Sequence, residues 1–369
     1  MTGATNRIKK YNYFIGIDVS KVQLDYAVMR DKNLLFHREA KNDPADIAAF
    51  IAELKTLPGF TISKSIFCME QTGFYCNHLL LGLKKVKANI VLENSLQIKN
   101  SLGLIRGKYD KVDSIRIAQY ASVRKDDLRF WIQRRPMILQ LAVLFSLRTR
   151  MLSLQTAIKM PLKEQTSFVK KGVHQQSTNL CRNSINAIKA DLLEIDTTMD
   201  ELIAADKHLK RLAELIVSVP NVGRITAIQI IISTNEFRDI RCPKKFACYA
   251  GVAPFKQESG AFKGKGKISP IANRKVKSLL HVCAIGAIQS DPEIKAYYLR
   301  KTLTEGKAKM SVVNAVRYKL ILRVFACLKQ DRPYEKNYSR IKSANLVELQ
   351  TEQNSKVDYG SPKVSSLMT

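Results

Sequence analysis

The stretch YFIGIDVSKVQLDYAVMRDKNLLFHRE, Tyr13 to Glu39, decides how the chain begins to fold. YFIGIDV (Tyr13–Val19) is a short apolar run with β-branched residues, the pattern of a strand. LDYAVMR (Leu24–Arg30) and NLLFHRE (Asn33–Glu39) follow at hairpin spacing, with Asp31-Lys32 at the turn between them. Asp43-Pro44 then gives the start signal for a helix reaching Lys55, because proline at the first helical position has no N–H to waste. SIFCME (Ser65–Glu70) is the next strand, a helix runs from about Tyr75 to Lys87, and NIVLE (Asn89–Glu93) is a fifth strand.

Three strands, then helix, strand, helix, strand, helix is the order of an RNase H-like (RuvC-like) fold. The sequence therefore predicts an α/β domain over residues 11–135. Residues 136–215 carry no strong strand. Leu139, Leu141, Leu144, Leu147, Leu152 and Leu154 predict one long helix. Asn183 to Leu215 predicts another, with Ile185, Ile188, Leu192, Ile195, Met199, Leu202 and Ile203 at three- and four-residue steps. Two long amphipathic helices make a coiled-coil-like linker, either an intramolecular prop or a dimer interface. Residues 216–334 are mixed and mostly helical, and residues 335–369 form a polar tail. The predicted class is α/β plus α.

Charge narrows the function. Lys and Arg number 61 against 32 Asp and Glu, a formal net charge of +29. Such an excess implies a polyanionic partner, with nucleic acid foremost. A membrane surface would call for a basic amphipathic helix or a lipid anchor, and neither is evident. No apolar run approaches the roughly 18 residues that span a bilayer. MTGATNRIKKYNYF lacks the apolar centre of a secretory signal, and the seven cysteines are scattered without zinc spacing. The expectation is a cytoplasmic protein with reduced thiols.

Four acids stand out. Asp18 lies at the end of the first strand and Glu70 at the end of the fourth. Asp110 and Asp113 sit three apart at a helix start, in GKYDKVDSIRIAQY, and so share a helix face. Strand-end carboxylates in an RNase H-like sheet converge on one edge. Gathered together they repel unless cations lie between them, and Mg²⁺ or Mn²⁺ suits all-oxygen donors. A metal pair is the standard clamp for in-line phosphoryl displacement. Taken singly, each acid is also explained as a turn or helix-cap residue. Arg106 and Lys108 beside the aspartates suit a passing phosphate backbone, or a merely solvated surface.

The stretch GVAPFKQESGAFKGKGKISP (Gly251–Pro270) and the helix start after it carry Lys256, Lys263, Lys265, Lys267, Arg274, Lys275 and Lys277 against the single acid Glu258. Its glycines allow a backbone to approach a ligand closely. No Gly-Lys-Ser/Thr closes a Walker loop, so phosphodiester binding without nucleotide hydrolysis is the better fit. A serine here could attack phosphorus once its proton is removed and the developing charge neutralised. Ser259 and Ser269 are equal candidates on composition, and either also serves as a turn residue. Upstream, SVPNVGRITAIQIIIS (Ser218–Ser233) looks like a helix-hairpin-helix turn, with Asn221 where the first glycine is usual and only Gly223 kept.

GIDVSK, MEQTG, KYDKVDSIRIAQY, SVPNVGRITA and FACYAGVAPFKQESGAFKGKGKIS, in that order, resemble the DEDD insertion-sequence transposases. Those are bridge-RNA-guided serine recombinases, similar to the Piv-type DNA invertases. The resemblance spans about Tyr13 to Pro333. It implies that Asp18, Glu70, Asp110 and Asp113 bind the metal and that Ser259 is the nucleophile. It also implies a covalent phosphoserine, donor and target double-stranded DNA, a structured noncoding guide RNA and a homo-oligomer. Asn221 and Ser114 depart from the family pattern, and the segment after Ser259 is unusually rich in lysine. The rivals are a metal nuclease or junction resolvase that uses water, a Piv-like invertase, and a non-catalytic nucleic-acid-binding protein explained by charge alone.

Overall fold

The computed structural model describes residues 11–101, 110–260, 262–269 and 271–336. Two compact units divide between Gln133 and Arg134. The first contains β1 (Tyr13–Val19), β2 (Gln23–Arg30), β3 (Asn33–Lys41), α1 (Pro44–Lys55), β4 (Ser65–Glu70), α2 (Asn77–Lys85), β5 (Asn89–Glu93), α3 (Ser95–Ser101) and α4 (Asp110–Val123). The five strands form one mixed sheet in the order β3-β2-β1-β4-β5. β2 runs antiparallel to β1 and β3, whereas β4 is parallel to β1 and β5 to β4.

Local signals explain these elements. Asp31, with φ of 54°, takes the left-handed corner of the two-residue turn between β2 and β3. Asp43 caps α1 by accepting from the backbone N–H groups of Ala45 and Asp46, and Pro44 opens the helix. Strand alternation divides the core. Tyr13, Ile15, Ile17 and Val19 bury against α1 and α2, including Ile47, Phe50, Leu54, Leu79 and Leu83. Phe14, Ala27, Met29, Ile66, Cys68 and Val91 face the other way and pack on Ile117, Ala118, Tyr120 and Ala121 of α4.

Gly16 sets how closely α4 lies on that second face. A Cβ at this position would come within 2.2 Å of both the Ala118 nitrogen and the Ser114 oxygen, which are backbone atoms that cannot swing aside. Gly16→Ala is therefore expected to lift α4 from β1, lowering stability by about 1–3 kcal/mol or more. A fall in the denaturant midpoint checks this; an unchanged midpoint would mean that α4 does not sit on β1 as described.

The second unit opens with two long helices, α5 (Pro136–Phe168) and α6 (Lys171–Ala205), followed by α7 (Lys207–Val217), α8 (Arg224–Thr234) and α9 (Pro243–Tyr249). The Arg148 guanidinium donates to both oxygens of Asp196 (2.8 and 3.3 Å), tying α5 to α6. The single helix expected from Asn183 to Leu215 is broken at Asp206, which caps α7 by accepting from Leu209 N (2.8 Å) and pairs with Arg135. α5 is also the one described helix long and apolar enough to cross a membrane by length and composition, where no such run was expected. Arg148 and Arg150 interrupt it, and its Ile138, Leu141 and Phe145 are buried in the core of this unit.

α8 is sheathed by its neighbours, with every residue from Thr226 to Thr234 buried. The turn before it needs a left-handed residue, and Asn221 supplies it with φ of 67°. Asn221 Oδ1 also accepts from Ser290 Oγ (3.0 Å), a bond that the more usual glycine lacks. β6 (Pro254–Ser259) and β7 (Phe262–Ile268) form a two-stranded antiparallel hairpin where the sequence suggested a loop. α10 (Arg274–Ser290), α11 (Pro292–Leu299) and α12 (Lys309–Gln330) complete the unit. The hairpin base is pinned. A Cβ on Gly251 would lie 2.3 Å from Ala272 Cβ, and Asn273 Nδ2 donates to the Tyr249 hydroxyl (2.7 Å).

Candidate active site

Strand register assembles a row of acids in the first unit. Asp18 pairs with Asp25 and Asp25 with Glu39 across the antiparallel strands. Ile17 pairs with Met69, so Asp18 and Glu70 continue the same parallel register, and Glu70 pairs with Glu93. Paired residues share a face. That face is the one α4 covers, and α4 brings Asp110 and Asp113 in its first turn, where the helix dipole favours carboxylates.

Burial and mutual repulsion leave their mark on these groups. Burial first, then the charges of Asp110 and Asp113, push Asp18 up to about 6, against a hydrogen bond from its neighbour Val19. Glu70 is raised by burial, then by Asp18 and Asp113. Asp25 is raised chiefly by burial, although His37 opposes the shift. The flanking acids are satisfied within the chain: Tyr120 donates to Glu93 Oε2 (2.9 Å), and His37 Nε2 lies 3.0 Å from Asp25 Oδ1. Arg116 pairs with Asp113 (2.8 Å). Val19 is the one hydrogen-bond partner among the causes that shift Asp18, and Glu70 is shifted by burial and neighbouring charge alone. Hard oxygen donors gathered so that their charges raise Asp18 and Glu70 fit a hard divalent cation.

The tightest set of ligand atoms is a different one. Among the described residues, only Asp25, His37 and Glu39 bring three such atoms within 4.8 Å of one another. The four acids named from sequence share one electrostatic neighbourhood without three of them meeting that closely. Sequence reasoning missed the Asp25 set. His37 and Glu39 do stand two apart on a strand and so share a face, but bringing Asp25 opposite them required the register.

In the second unit, Ser259 is exposed at the last position of β6, paired with Phe262 across the hairpin tip, and Gly260 beside it is left-handed (φ 54°). Ser269 sits at the hairpin base, where its Oγ accepts from Ile271 N (3.1 Å). Arg274 and Lys275 are exposed in the first turn of α10, and Lys277 is half-buried. The side chains of Lys256, Lys263, Lys265 and Lys267, and all of Arg106 and Lys108, lie outside the described residues.

An acid-lined α/β domain joined to a strongly basic helical unit is the make-up of an enzyme that works on nucleic-acid strands. A transposase family of the DEDD IS110 type matches residues 15–166, and the Transposase IS116/IS110/IS902 family matches residues 213–299. The chain belongs to this transposase family and is a DNA transposase or recombinase. It is similar to a pilin gene-inverting protein of Moraxella bovis, 24% identical over 274 residues, covering 73% of this chain and 81% of that one. It is also similar to a 42 kDa protein of insertion element IS900 from Mycobacterium paratuberculosis, 26% identical over 151 residues (41% of this chain, 37% of the other). The DEDD match suggests an RNase H-like fold for the first unit and implies a divalent metal cofactor.

Proposed function

We propose that the chain is a serine-dependent transposase of mobile-element DNA. Asp18, Glu70, Asp110 and Asp113 hold Mg²⁺, with Mn²⁺ an alternative, and Ser259 is the nucleophile. The bound ions would supply charge stabilisation at the scissile phosphoryl oxygens. Ser259 Oγ loses its proton to a base and bonds to phosphorus, and one strand oxygen leaves with a proton. Attack on the phosphoserine by the hydroxyl of an incoming strand reverses these steps, so no phosphodiester is lost. The observation that carries the proposal is the acid row on the α4 face, where Asp18 is raised by burial and by Asp110 and Asp113, and Glu70 by burial and by Asp18 and Asp113.

Residues 11–135 are then the metal domain, 136–215 a coiled-coil-like linker, 216–334 the serine domain and 335–369 a tail. Lys256, Lys263, Lys265, Lys267, Arg274, Lys275 and Lys277, with Arg106 and Lys108, contact nucleic acid. A noncoding bridge RNA selects donor and target in the cytoplasm. α5 and α6 expose apolar side chains such as Val143 and Leu180, which supports a dimer in which one protomer's acids serve its partner's serine. Mixing Ser259→Ala with Asp18→Asn protein is expected to restore strand exchange; mixed oligomers without activity would count against that sharing.

The deciding experiment denatures a reaction of the protein, divalent ion and element-junction DNA. A protein–DNA adduct that survives denaturation is expected. Cut DNA without an adduct would favour a nuclease or resolvase using water. Similarity to the pilin gene-inverting protein supports an invertase as the second reading, with the same chemistry and different joined sites.

A further inference from the structure

Among the described residues, buried charges are paired with one exception. Asp25 faces His37, and Glu236 is held by Arg135. Arg317, only 5% exposed, faces no carboxylate. Its Nη2 donates to His281 Nδ1 (2.6 Å) and its Nη1 reaches Asn314 Oδ1 at 3.3 Å. Its Nε is buried and finds no acceptor at all. A guanidinium carries five N–H donors and stays protonated, so two neutral acceptors leave both charge and donors unmet. Burying a cation on those terms is strongly unfavourable unless an anion completes the site. Burial pulls the Arg317 pKa down, with no opposing carboxylate.

The surroundings say which anion. Arg317 can only donate, so His281 accepts through Nδ1 and carries its hydrogen on Nε2, a second donor on a half-buried ring. Lys277 lies one helical turn before His281 on α10, on the same face. The Lys277 stem lies beside Gly251, three residues before β6: a Cβ built there would be 3.7 Å from Lys277 Cδ. Asn314 Nδ2 donates to the carbonyl of Val252, so the residues that hold Arg317 also hold the chain entering β6. Three nitrogen donors of mixed geometry, with neutral acceptors as the hydrogen-bond partners of Arg317 among the described residues, and a position at the root of the Ser259 hairpin match a tetrahedral oxyanion.

We propose that Arg317, His281 and Lys277 form a receptor for a phosphodiester of the bound DNA strand, seated at the base of the β6–β7 hairpin. Arg317 supplies charge from below and fixes the His281 tautomer; His281 and Lys277 meet the phosphate oxygens. That the anion belongs to DNA rests on the function proposed above, whereas the anion site itself does not.

Thermal unfolding of the full chain in phosphate, against chloride at matched ionic strength, tests it, because a ligand that binds only the folded state raises Tm. Inorganic phosphate is expected to raise the wild-type Tm by several degrees. Arg317→Met is expected to lose that rise while melting no lower than wild type in chloride, since it removes an unpaired buried charge. Lys277→Gln and His281→Gln are expected to lose most of the rise. A wild-type protein indifferent to phosphate, or a rise retained in Arg317→Met, overturns the proposal. Should Arg317→Met fail to fold, His281→Gln decides: loss of the rise supports the site, and retention overturns it. Ser259→Ala is expected to keep the full rise. Loss of the anion site would thus leave the serine chemistry standing, and failure of the adduct assay would leave the anion site standing.

Discussion

Asp18→Asn is expected to abolish strand exchange, by about a thousandfold or more, and at the same time to raise the melting temperature of the protein in chelator above pH 6. Both effects come from one arrangement. In the folded chain Asp18 is raised from 3.8 to about 6 by burial and by Asp110 and Asp113. Between those two values the folded state holds a proton that the unfolded chain has released, so raising the pH favours unfolding across that window. Above it the full cost of ionising Asp18 among its neighbours is present. Asparagine keeps the shape and removes the charge, so the cost disappears; well below the usual carboxylate range the two proteins should melt alike. A divalent ion inverts the comparison. Binding to the ionised cluster, as proposed above, should stabilise wild type above pH 6 and do much less for Asp18→Asn. Melting curves with and without Mn²⁺ across this pH range check the prediction. A variant that melts lower than wild type in chelator at high pH would show that Asp18 is a structural residue. On the proposed reading, function and stability are opposed at this site because its charges serve a ligand rather than one another.

Much of the first unit was legible because its physics is local. The apolar run Tyr13–Val19, the Asp31-Lys32 turn and the Asp43-Pro44 helix start each carry their signal within a few residues, and each forms as expected. What failed to show was anything that depends on register or on a distant partner. Asp25, His37 and Glu39 look like ordinary polar positions of a half-exposed hairpin until strand pairing sets them opposite one another. The break at Asp206 was hidden by an apolar period that continues from α6 into α7; Arg135, far away in sequence, pairs with the aspartate that makes the cap. The β6–β7 hairpin looked like a loop because of Gly264 and Gly266. Lysines at alternate positions 263, 265 and 267 were a period-two signal in favour of a strand. Arg317 was one basic residue among many, and only its burial distinguishes it.

Ser259→Ala is expected to eliminate the covalent protein–DNA adduct completely, while Ser269→Ala leaves it in place. On composition the two serines were equal; the fold separates them. A nucleophile must bring its hydroxyl to phosphorus along the line of the leaving oxygen, with its lone pairs free. Ser259 ends β6 at an exposed tip, and the left-handed Gly260 turns the chain away immediately after it without a side chain to obstruct a strand. Ser269 lies at the opposite, pinned end, and its oxygen accepts from Ile271 N. Recruiting it would break that bond, at about 0.5–1.5 kcal/mol, and would still leave the hydroxyl against the start of α10. Ser269→Ala should therefore lower stability slightly and spare chemistry. Ser259→Ala should spare stability, since the tip residue is exposed, and remove the oxygen on which the proposed adduct forms. Any cleavage that survives in Ser259→Ala must use water and release a free end, so end-labelled DNA tells the routes apart. An adduct persisting in Ser259→Ala and vanishing in Ser269→Ala would transfer the role to Ser269, and with it the point at which the DNA strand meets the hairpin, from its tip to its root.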